Sequence, residues 1–452
     1  MVFSHAICTK TKRHVIIHFF LREKYKEVEK KQKFSDILVI GGALFAMFFG
    51  AGNLIFPPLL GQQSGTSWFI GFLFFFIFDV GLALVAILAL VRKGQFEING
   101  ITDVMGKVPS TIINCIAVLC IGPLLAIPRT AATTFEIGVQ PLAPNFSTWI
   151  FSAIFFAIVL ALTIRPSKVV DIIGAFLTPV LVITLLVMII KGIISPLGPI
   201  DLPETTNPVQ NGTLNGYQTL DVLASMIFIM IITSSAQGKG YTEGHSLSKA
   251  VLSSSCVASI GLFVIYGGLT YLGATTCNLA DMQGLNQTAL LVAITKALFG
   301  NTGVILLGVI VLFACLTTAI GLSSSTGAFF EELTGGKVSY KKVVIIVVVF
   351  SWLISNAGVS TIIQFSAPLL NLVYPGVLVL IILAFFHKSI KNKNIYRVAT
   401  YFAIIVSALE ILAGFGLPTG FVKFLPLAPM GFAWIVPAIV GGIIGKFIPC
   451  KD

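Results

Sequence analysis

The feature that most constrains this chain is a series of apolar runs, each long enough to cross a lipid bilayer. A transmembrane helix needs about 20 apolar residues to span a hydrocarbon core of ~30 Å. Of the 452 residues, 56% are apolar and only 10% are charged, which excludes a large soluble domain. The runs are also longer than the ten-residue alternating strands of a membrane β-barrel. The sequence therefore predicts an all-α polytopic membrane protein.

Twelve such runs, bounded by glycine, proline or charge, predict twelve transmembrane helices. To within several residues they cover 37–60, 67–91, 110–135, 148–164, 168–192, 219–237, 250–273, 302–330, 341–357, 361–387, 395–416 and 428–448. The stretch 286–299 predicts a further helix that lies outside the membrane before the eighth span.

The basic residues give the orientation of these spans. An even number of spans places both termini on one side, and positively charged loops favour the cytoplasm. With a cytoplasmic N-terminus, all but four of the 29 Lys and Arg residues lie in cytoplasmic segments. The four exceptions are Arg129, Lys191, Lys296 and Lys423. The net charge of +11 therefore follows membrane topology and does not indicate nucleic-acid binding.

Residues 1–36 form a basic N-terminal segment with two alternative interpretations. Its apolar patch, residues 15–21, is too short to span a membrane or to act as a cleaved secretory signal. The segment either lies on anionic lipid as a cytoplasmic extension, or it precedes the true start of the protein, which would then be Val28.

The first span carries the sequence FFGAGNLIFPPLLG at residues 48–61. Two glycines weaken the helix here, and Pro57 and Pro58 provide no donor for the carbonyls four residues earlier. Non-helical backbone within a bilayer is tolerated only where it lines a cavity or is covered by protein. We therefore expect residues 50–53 to be unwound and to face an internal binding site.

The chain direction sets the electrostatics of this break. The second half-helix, expected over residues 54–60, points its amides and positive dipole end at the break, which suits a carboxylate. The first half-helix ends there with free carbonyls of Ala46 and Phe49, which suit a cation. A kinked helix that serves only close packing is the alternative.

Segment lengths predict an internal repeat. Spans one to five occupy residues 37–192, spans six to ten occupy 219–387, and spans eleven and twelve follow at 395–448. An odd number of spans per unit inverts the second copy, as in many secondary transporters. Span six should then also be broken, and its polar stretch 231–238 is the candidate. A Ser/Thr-rich helix end with ordinary back-bonding is the alternative.

Span eight contains ACLTTAIGLSSSTG at residues 314–327, with Thr317 and Thr318 deep in the membrane. Hydroxyl and carbonyl oxygens are hard ligands, and a few of them together suit Na⁺. The alternative is that both hydroxyls bond back to their own helix.

Four ionisable side chains lie at depth in the predicted spans: Asp79 in span two, Arg129 and Glu136 in span three, and Glu410 in span eleven. Such residues are costly in lipid, so they are candidates for proton transfer or gating. Asp79 and Arg129 are a candidate ion pair. The alternative is a role limited to stabilising the bundle.

At these motifs the sequence resembles a known family. FAMFFGAGNLIFPPLLG at 45–61 and IGPLLAIPRTAATTFEIGVQP at 121–141 are similar to signature stretches of the bacterial branched-chain amino acid transport system II carriers. The resemblance extends over about residues 34–448. It implies uptake of leucine, isoleucine and valine across the bacterial cytoplasmic membrane, driven by Na⁺ or H⁺ and without a cofactor.

The first-span motif is also distantly similar to that of Na⁺-coupled amino-acid transporters with a five-plus-five inverted repeat. The likeness implies that the break binds the substrate, and that its carbonyls complete a sodium site with span eight. The implied substrate-binding residues are Phe48, Phe49, Gly50, Ala51, Gly52, Asn53, Phe228, Ile232 and Thr233. The implied cation ligands are Ala46, Phe49, Ala314, Thr317 and Thr318. The sixth span departs from the pattern because it has few glycines.

Other functions were less well supported by the sequence. A proton-coupled carrier of these or other neutral amino acids, titrating at Asp79, Glu136 or Glu410, stays open, as does a passive channel. A six-plus-six transporter would have its long loop in the cytoplasm, whereas the longest loop here, 193–218, is predicted outside.

No intramembrane His-rich or HExxH motif supports an enzyme. The seven cysteines are scattered and indicate neither disulfides nor a metal site.

Overall fold

The computed structural model describes residues 32–164, 168–202, 207–242 and 244–449, without the side chains of residues 168–178. Throughout these ranges the chain forms helices and contains no β-strand, which confirms the all-α prediction. Most of the basic segment 1–36 lies outside the described residues, so both interpretations of it stay predictions.

The α-helices of the described residues are numbered in chain order. They are α1 Phe34–Phe48, α2 Ala51–Ser64, α3 Trp68–Phe76, α4 Leu82–Lys93, α5 Lys107–Leu119, α6 Ala126–Thr134, α7 Thr148–Ile164, α8 Lys168–Ile194, α9 Pro208–Thr219, α10 Asp221–Gly238, α11 Gly244–Ala274, α12 Gln287–Leu333, α13 Tyr340–Ser355, α14 Val359–Phe385, α15 Lys393–Gly414 and α16 Ile435–Phe447. Helix α12 is interrupted at Gly300, whose φ is 65°, so a separate helix precedes span eight. Its place outside the membrane stays a prediction.

Seven helical stretches in the described ranges are long and apolar enough to cross a bilayer. Shorter apolar helices, among them α1, α7 and α16, accompany them. These lengths agree with a polytopic membrane protein. The count of twelve spans and the inverted repeat stay predictions.

The first span is broken, and the break is shorter than the sequence predicts. Helix α1 ends and α2 begins on either side of Phe49 and Gly50. The expectation that all of residues 50–53 unwind is wrong, because the last three form the first turn of α2. Asn53 explains the early start, since its Oδ1 accepts a hydrogen bond from the Gly50 amide at 3.3 Å and so caps the helix.

The sixth span is broken as well, but not where the sequence predicts. Leu220 alone separates α9 from α10, and its φ of 72° is a left-handed conformation that is rare for a bulky side chain. The predicted break at 231–238 is wrong, because these residues continue α10. The helix before this break, α9, begins at Pro208, eleven residues before the predicted start of the span at 219.

The polarity of α9 explains why its sequence does not resemble a membrane helix. Its sequence is PVQNGTLNGYQT, yet residues 216–219 are buried among neighbouring helices. A Cβ on Gly212 would lie 2.3 Å from the carbonyl oxygen of Gly71, so glycine lets α9 contact α3 directly. Much of the helix is covered by protein, and hydropathy does not detect such a segment.

Helices α2 and α11 touch through their backbones. A Cβ on Gly61 would lie 1.8 Å from the Thr270 carbonyl oxygen, and one on Gly273 would lie 1.8 Å from that of Pro58. Only glycine fits at these two positions. The contact holds α2, and with it one side of the first break, firmly against α11.

Candidate functional site

The two helix breaks meet at an internal cavity with a volume of about 30 Å³. Its lining combines residues of both breaks with side chains of spans three and eight. The lining residues are Met47, Phe48, Gly50, Ala51, Gly52, Asn53, Ile121, Ala126, Arg129, Thr130, Thr219, Leu220, Asp221, Ala224, Phe228, Thr318 and Leu322. The cavity therefore has both apolar walls and charged groups.

The backbone of the first break frees polar groups from their helical partners. The Gly50 amide donates to the Phe48 carbonyl at 2.8 Å, in place of the bond to Ala46 that a continuous helix would make. The Phe49 ring is buried and stacks on Tyr266 with a centroid distance of 6.1 Å. The ring anchors the break, while the Ala46 carbonyl is available to a ligand.

A buried arginine lies over the start of α2. Arg129 is 3% exposed, and its Nη1 donates to the Gln218 carbonyl at 2.7 Å. Its guanidinium carbon lies 5.5 Å from the centre of the Phe56 ring. A Cβ on Gly52 would lie 2.7 Å from Nη2, so the arginine fits only over glycine. The α2 amides and this guanidinium together favour an anion.

Two aspartates lie at the second break. Asp221, the first residue of α10, accepts a hydrogen bond from Asn53 Nδ2 at 2.8 Å. Asp79 accepts one from Thr219 Oγ1 at 2.8 Å. Both carboxyl groups are buried, and each lies within hydrogen-bonding reach of the other. Asn53 and Thr219 thus connect both breaks to span two.

Turns of π-helix position the charged residues of spans two and three. Asp79 lies in the π-turn Ile77–Gly81, between α3 and α4. In span three, the π-turns Cys120–Leu124 and Phe135–Val139 flank α6, which carries Arg129. An extra residue in one turn changes which side chains face the bundle interior, and such turns are frequent at functional sites.

Comparison with known proteins shows the family. Residues 33–451 match the sequence profile of the family described as branched-chain amino acid transport protein. The chain belongs to this family. It is 38% identical to the branched-chain amino acid permease BraB of Bacillus subtilis, over 91% of this chain and 94% of that protein. It is 34% identical to the permease BrnQ of Escherichia coli K12, over 90% and 93% of the two chains.

Solved transporter structures share the fold of this family member. Mhp1, a nucleobase-cation-symport-1 family transporter, has a TM-score of 0.63 at 16% identity and covers 91% of this chain and 93% of its own. MhsT in complex with L-phenylalanine has a TM-score of 0.56 at 15% identity, with 90% and 98% covered. The permease relatives and the long apolar helices identify a multi-pass membrane transporter and not an enzyme.

Within this carrier, most of the residues predicted to bind substrate line the cavity. They are Phe48, Gly50, Ala51, Gly52, Asn53 and Phe228. Phe49 lies behind the lining, with its ring on Tyr266. Ile232 and Thr233 are buried farther along α10, within the continuous helix that replaces the predicted break. Substrate contacts at all these residues stay predictions.

Of the predicted cation ligands, Thr318 lies beside the first break. A Cβ on Gly50 would lie 3.6 Å from its methyl group. The Thr318 hydroxyl donates to the Ala314 carbonyl at 3.0 Å, and the Thr317 hydroxyl donates to the same carbonyl at 2.9 Å. This back-bonding uses the hydroxyl hydrogens and leaves oxygen lone pairs for a cation.

The candidate gating residues divide between two places. Asp79 and Arg129 belong to the cluster at the breaks, but Arg129 faces Asp221 and does not form the predicted pair with Asp79. Glu136 and Glu410 do not line the cavity.

Glu136 instead ties three elements together. Its Oε1 accepts a hydrogen bond from the Val359 amide at 2.8 Å, and its Oε2 accepts one from the Thr288 hydroxyl at 2.5 Å. It thereby joins the π-turn of span three to the beginnings of α12 and α14.

Asp221 and Thr219 line the cavity but were not predicted as site residues. Both lie at the predicted outer end of span six, where polar residues carry no special meaning. The usable signal was a proline-initiated polar stretch, 208–219, followed by an aspartate directly before an apolar run. That pattern predicts two helices and places a carboxylate at the junction.

Proposed function

We propose that this carrier imports leucine, isoleucine and valine across the bacterial cytoplasmic membrane by cation symport, with Na⁺ as the favoured cation. Its relatives BraB and BrnQ are named branched-chain amino acid permeases, which supports the substrate class. The distribution of Lys and Arg supports cytoplasmic termini.

The observation that carries the proposal is the meeting of two helix breaks at one cavity with charges of both signs. The amides at the start of α2 and the Arg129 guanidinium suit the α-carboxylate of an amino acid. The Asp221 carboxyl at the cavity suits its α-ammonium. A zwitterion pairs with the positive and the negative groups of the cavity, whereas a simple anion or cation pairs with only one of them.

The apolar walls suit a branched side chain. Phe48 and Phe228 meet edge to face with centroids 5.3 Å apart, next to Met47, Ile121 and Leu322. Apolar walls separate side chains that differ by one methylene by only about 1–3 kcal/mol, so leucine, isoleucine and valine share the site. A cavity of about 30 Å³ holds only a few water molecules, so we expect it to widen when substrate binds.

The Na⁺ site comprises the carbonyls of Ala46, Phe49 and Ala314 and the hydroxyls of Thr317 and Thr318. The backbone supports it, because the amide that would bond to Ala46 in a continuous helix points elsewhere. Neutral hard oxygens of this kind suit Na⁺. An ion there joins α1 to α12, so it favours one state of the carrier over the other.

Leucine uptake by proteoliposomes, with Na⁺ and H⁺ gradients imposed separately, tests the coupling. We expect an inward Na⁺ gradient to drive accumulation, and Thr318→Ala to weaken the apparent Na⁺ affinity at least about tenfold through loss of one ligand. Thr334→Ala is the matched control, because Thr334 also bonds back to α12, at the far end from the cavity. Wild-type leucine uptake that is the same with and without a Na⁺ gradient contradicts Na⁺ coupling.

Proton coupling is the second candidate, and the carboxyl pair at the second break favours it. Of the three carboxylates considered from the sequence, only Asp79 accepts a hydrogen bond from a residue of the cavity lining, Thr219. In the same vesicles, accumulation driven by a proton gradient alone supports this alternative.

A further inference from the structure

Asp79 and Asp221 form a carboxyl pair between two broken helical elements. Asp79 comes from the π-turn of span two, and Asp221 comes from the first turn of α10. Their contact is buried, yet Asp221 reaches the cavity lining. The pair therefore lies where the second break, span two and the cavity meet.

The hydrogen-bond donors around the pair are too few for two carboxylates. Thr219 donates to Asp79 Oδ1 and Asn53 donates to Asp221 Oδ2, each at 2.8 Å. Asp79 Oδ2 is buried and receives no hydrogen bond from any described residue. Ionised carboxylates only accept hydrogen bonds, so the contact between the two groups becomes a hydrogen bond only when one carries a proton.

The charges around the pair also favour one bound proton. Among the described residues, Arg129 on α6 is the cation close enough to Asp221 to interact with its charge. Two buried phenols, Tyr266 on α11 and Tyr374 on α14, lie close enough to interact electrostatically with both carboxyls, and they bring no charge while protonated. One guanidinium beside two carboxylates leaves an uncompensated negative charge away from water, which is costly. A single proton on the pair removes that excess.

We propose that Asp79 and Asp221 share one proton and together form a proton-binding site that adjoins the substrate cavity through Asp221. The shared hydrogen bond joins span two to the start of α10 and stabilises the second break. When the proton leaves to water through the cavity, two adjacent carboxylates remain and repel each other. Asp221 then moves out of its place beside Asn53, and leucine binding weakens. This effect on leucine rests on the proposed function, whereas the shared proton does not.

Infrared difference spectroscopy of the full-length protein in lipid tests the proton without substrate. Alkalinisation of the wild type should remove the C=O stretch of a protonated carboxyl. That change should be absent from Asp79→Asn and from Asp221→Asn, because in each variant the new amide donates to the remaining carboxylate. Asp281→Asn alters an exposed aspartate outside the site, so this variant should show the same spectral change as the wild type. A protonated-carboxyl signal that survives in either pair variant overturns the proposal.

Leucine binding as a function of pH tests the consequence. The Kd is measured at pH values below those at which leucine's own ammonium titrates. Within this range, the wild-type Kd should rise about tenfold per pH unit once the pair has lost its single proton. Asp79→Asn carries a permanent donor to Asp221, so its Kd should change less than about twofold over that range, and Asp281→Asn should follow the wild type. Asp221→Asn serves for the spectra if Asp79→Asn does not fold.

A wild-type Kd that does not depend on pH, or an Asp79→Asn variant with the wild-type slope, overturns the proposed site. A wild type that binds no leucine at any pH contradicts the proposed function instead, and the infrared result then still decides whether the proton is shared.

Discussion

At the scale of single residues, Gly52 shapes the site by the side chain it lacks. Alanine would favour a helix by about 1 kcal/mol at an ordinary position. Here a Cβ would lie 2.7 Å from Arg129 Nη2 and 3.2 Å from the Phe56 ring. Glycine therefore gives Arg129 the room to reach the Gln218 carbonyl, which places a positive charge over the amides of α2.

Gly52→Ala should weaken leucine binding without unfolding the carrier. The atoms that a Cβ meets belong to the end of a flexible side chain, so Arg129 can shift, but it then loses its bond to Gln218. Hydrogen bonds to charged groups contribute about 1.5–3 kcal/mol, so we expect at least about a tenfold loss of affinity by radioligand binding. Gly42→Ala is the control, since a Cβ there meets nothing within 4 Å. Equal affinities in both variants would refute this role of Gly52.

At the scale of elements, the two breaks differ in how far the sequence reveals them. The first was predictable because glycine, asparagine and paired proline coincide in one apolar run, and only its length was wrong, through the cap from Asn53. The second was not, because Leu220 is a residue that local rules would never place in a left-handed conformation. Its geometry is imposed by packing of the polar helix α9 inside the bundle, which is tertiary information.

Glu136 acts between elements, and its substitution should separate a structural role from proton transfer. Glu136→Ala loses the acceptors of the Val359 amide and the Thr288 hydroxyl, so we expect the unfolding free energy to fall by about 2 kcal/mol and the thermal transition to shift down. Glu136→Gln keeps one amide oxygen and gains a donor to the Thr288 oxygen, so it should retain most of the stability and transport. A Glu136→Gln carrier that is stable yet transports nothing would instead assign proton transfer to this residue.

At the scale of the whole molecule, a polar latch closes the end of the bundle where α1 begins. The Tyr241 hydroxyl donates to Asp36 Oδ2 and accepts from the Lys33 amide, both at 3.0 Å. Lys239 Nζ lies 3.7 Å from Asp36 Oδ1. The latch joins the start of the first span to the end of the sixth, and we predict that substrate release towards this end requires it to open.

Tyr241→Phe should shift the carrier towards the state open at this end. Loss of a hydroxyl that makes two hydrogen bonds costs the closed state about 1–3 kcal/mol, so the open population should rise at least about fivefold. The rate at which a membrane-impermeant reagent labels Ile37→Cys, a buried position of α1, reports this population in inside-out vesicles. Tyr401→Phe, at an exposed tyrosine, is the control. Unchanged labelling in Tyr241→Phe would show that the latch does not hold the closed state.

Phe49, at the first break, contributes to two parts of the molecule. Its carbonyl belongs to the proposed ion site, and its ring lies on Tyr266, whose phenol is close enough to interact electrostatically with the two aspartates. If α1 tilts about this point during transport, the Phe49 ring moves against the Tyr266 ring, so this aromatic contact would couple the proposed ion site to the proposed proton site. Replacement of this ring, as in Phe49→Ala, should weaken the coupling, so that the cation crosses the membrane without leucine.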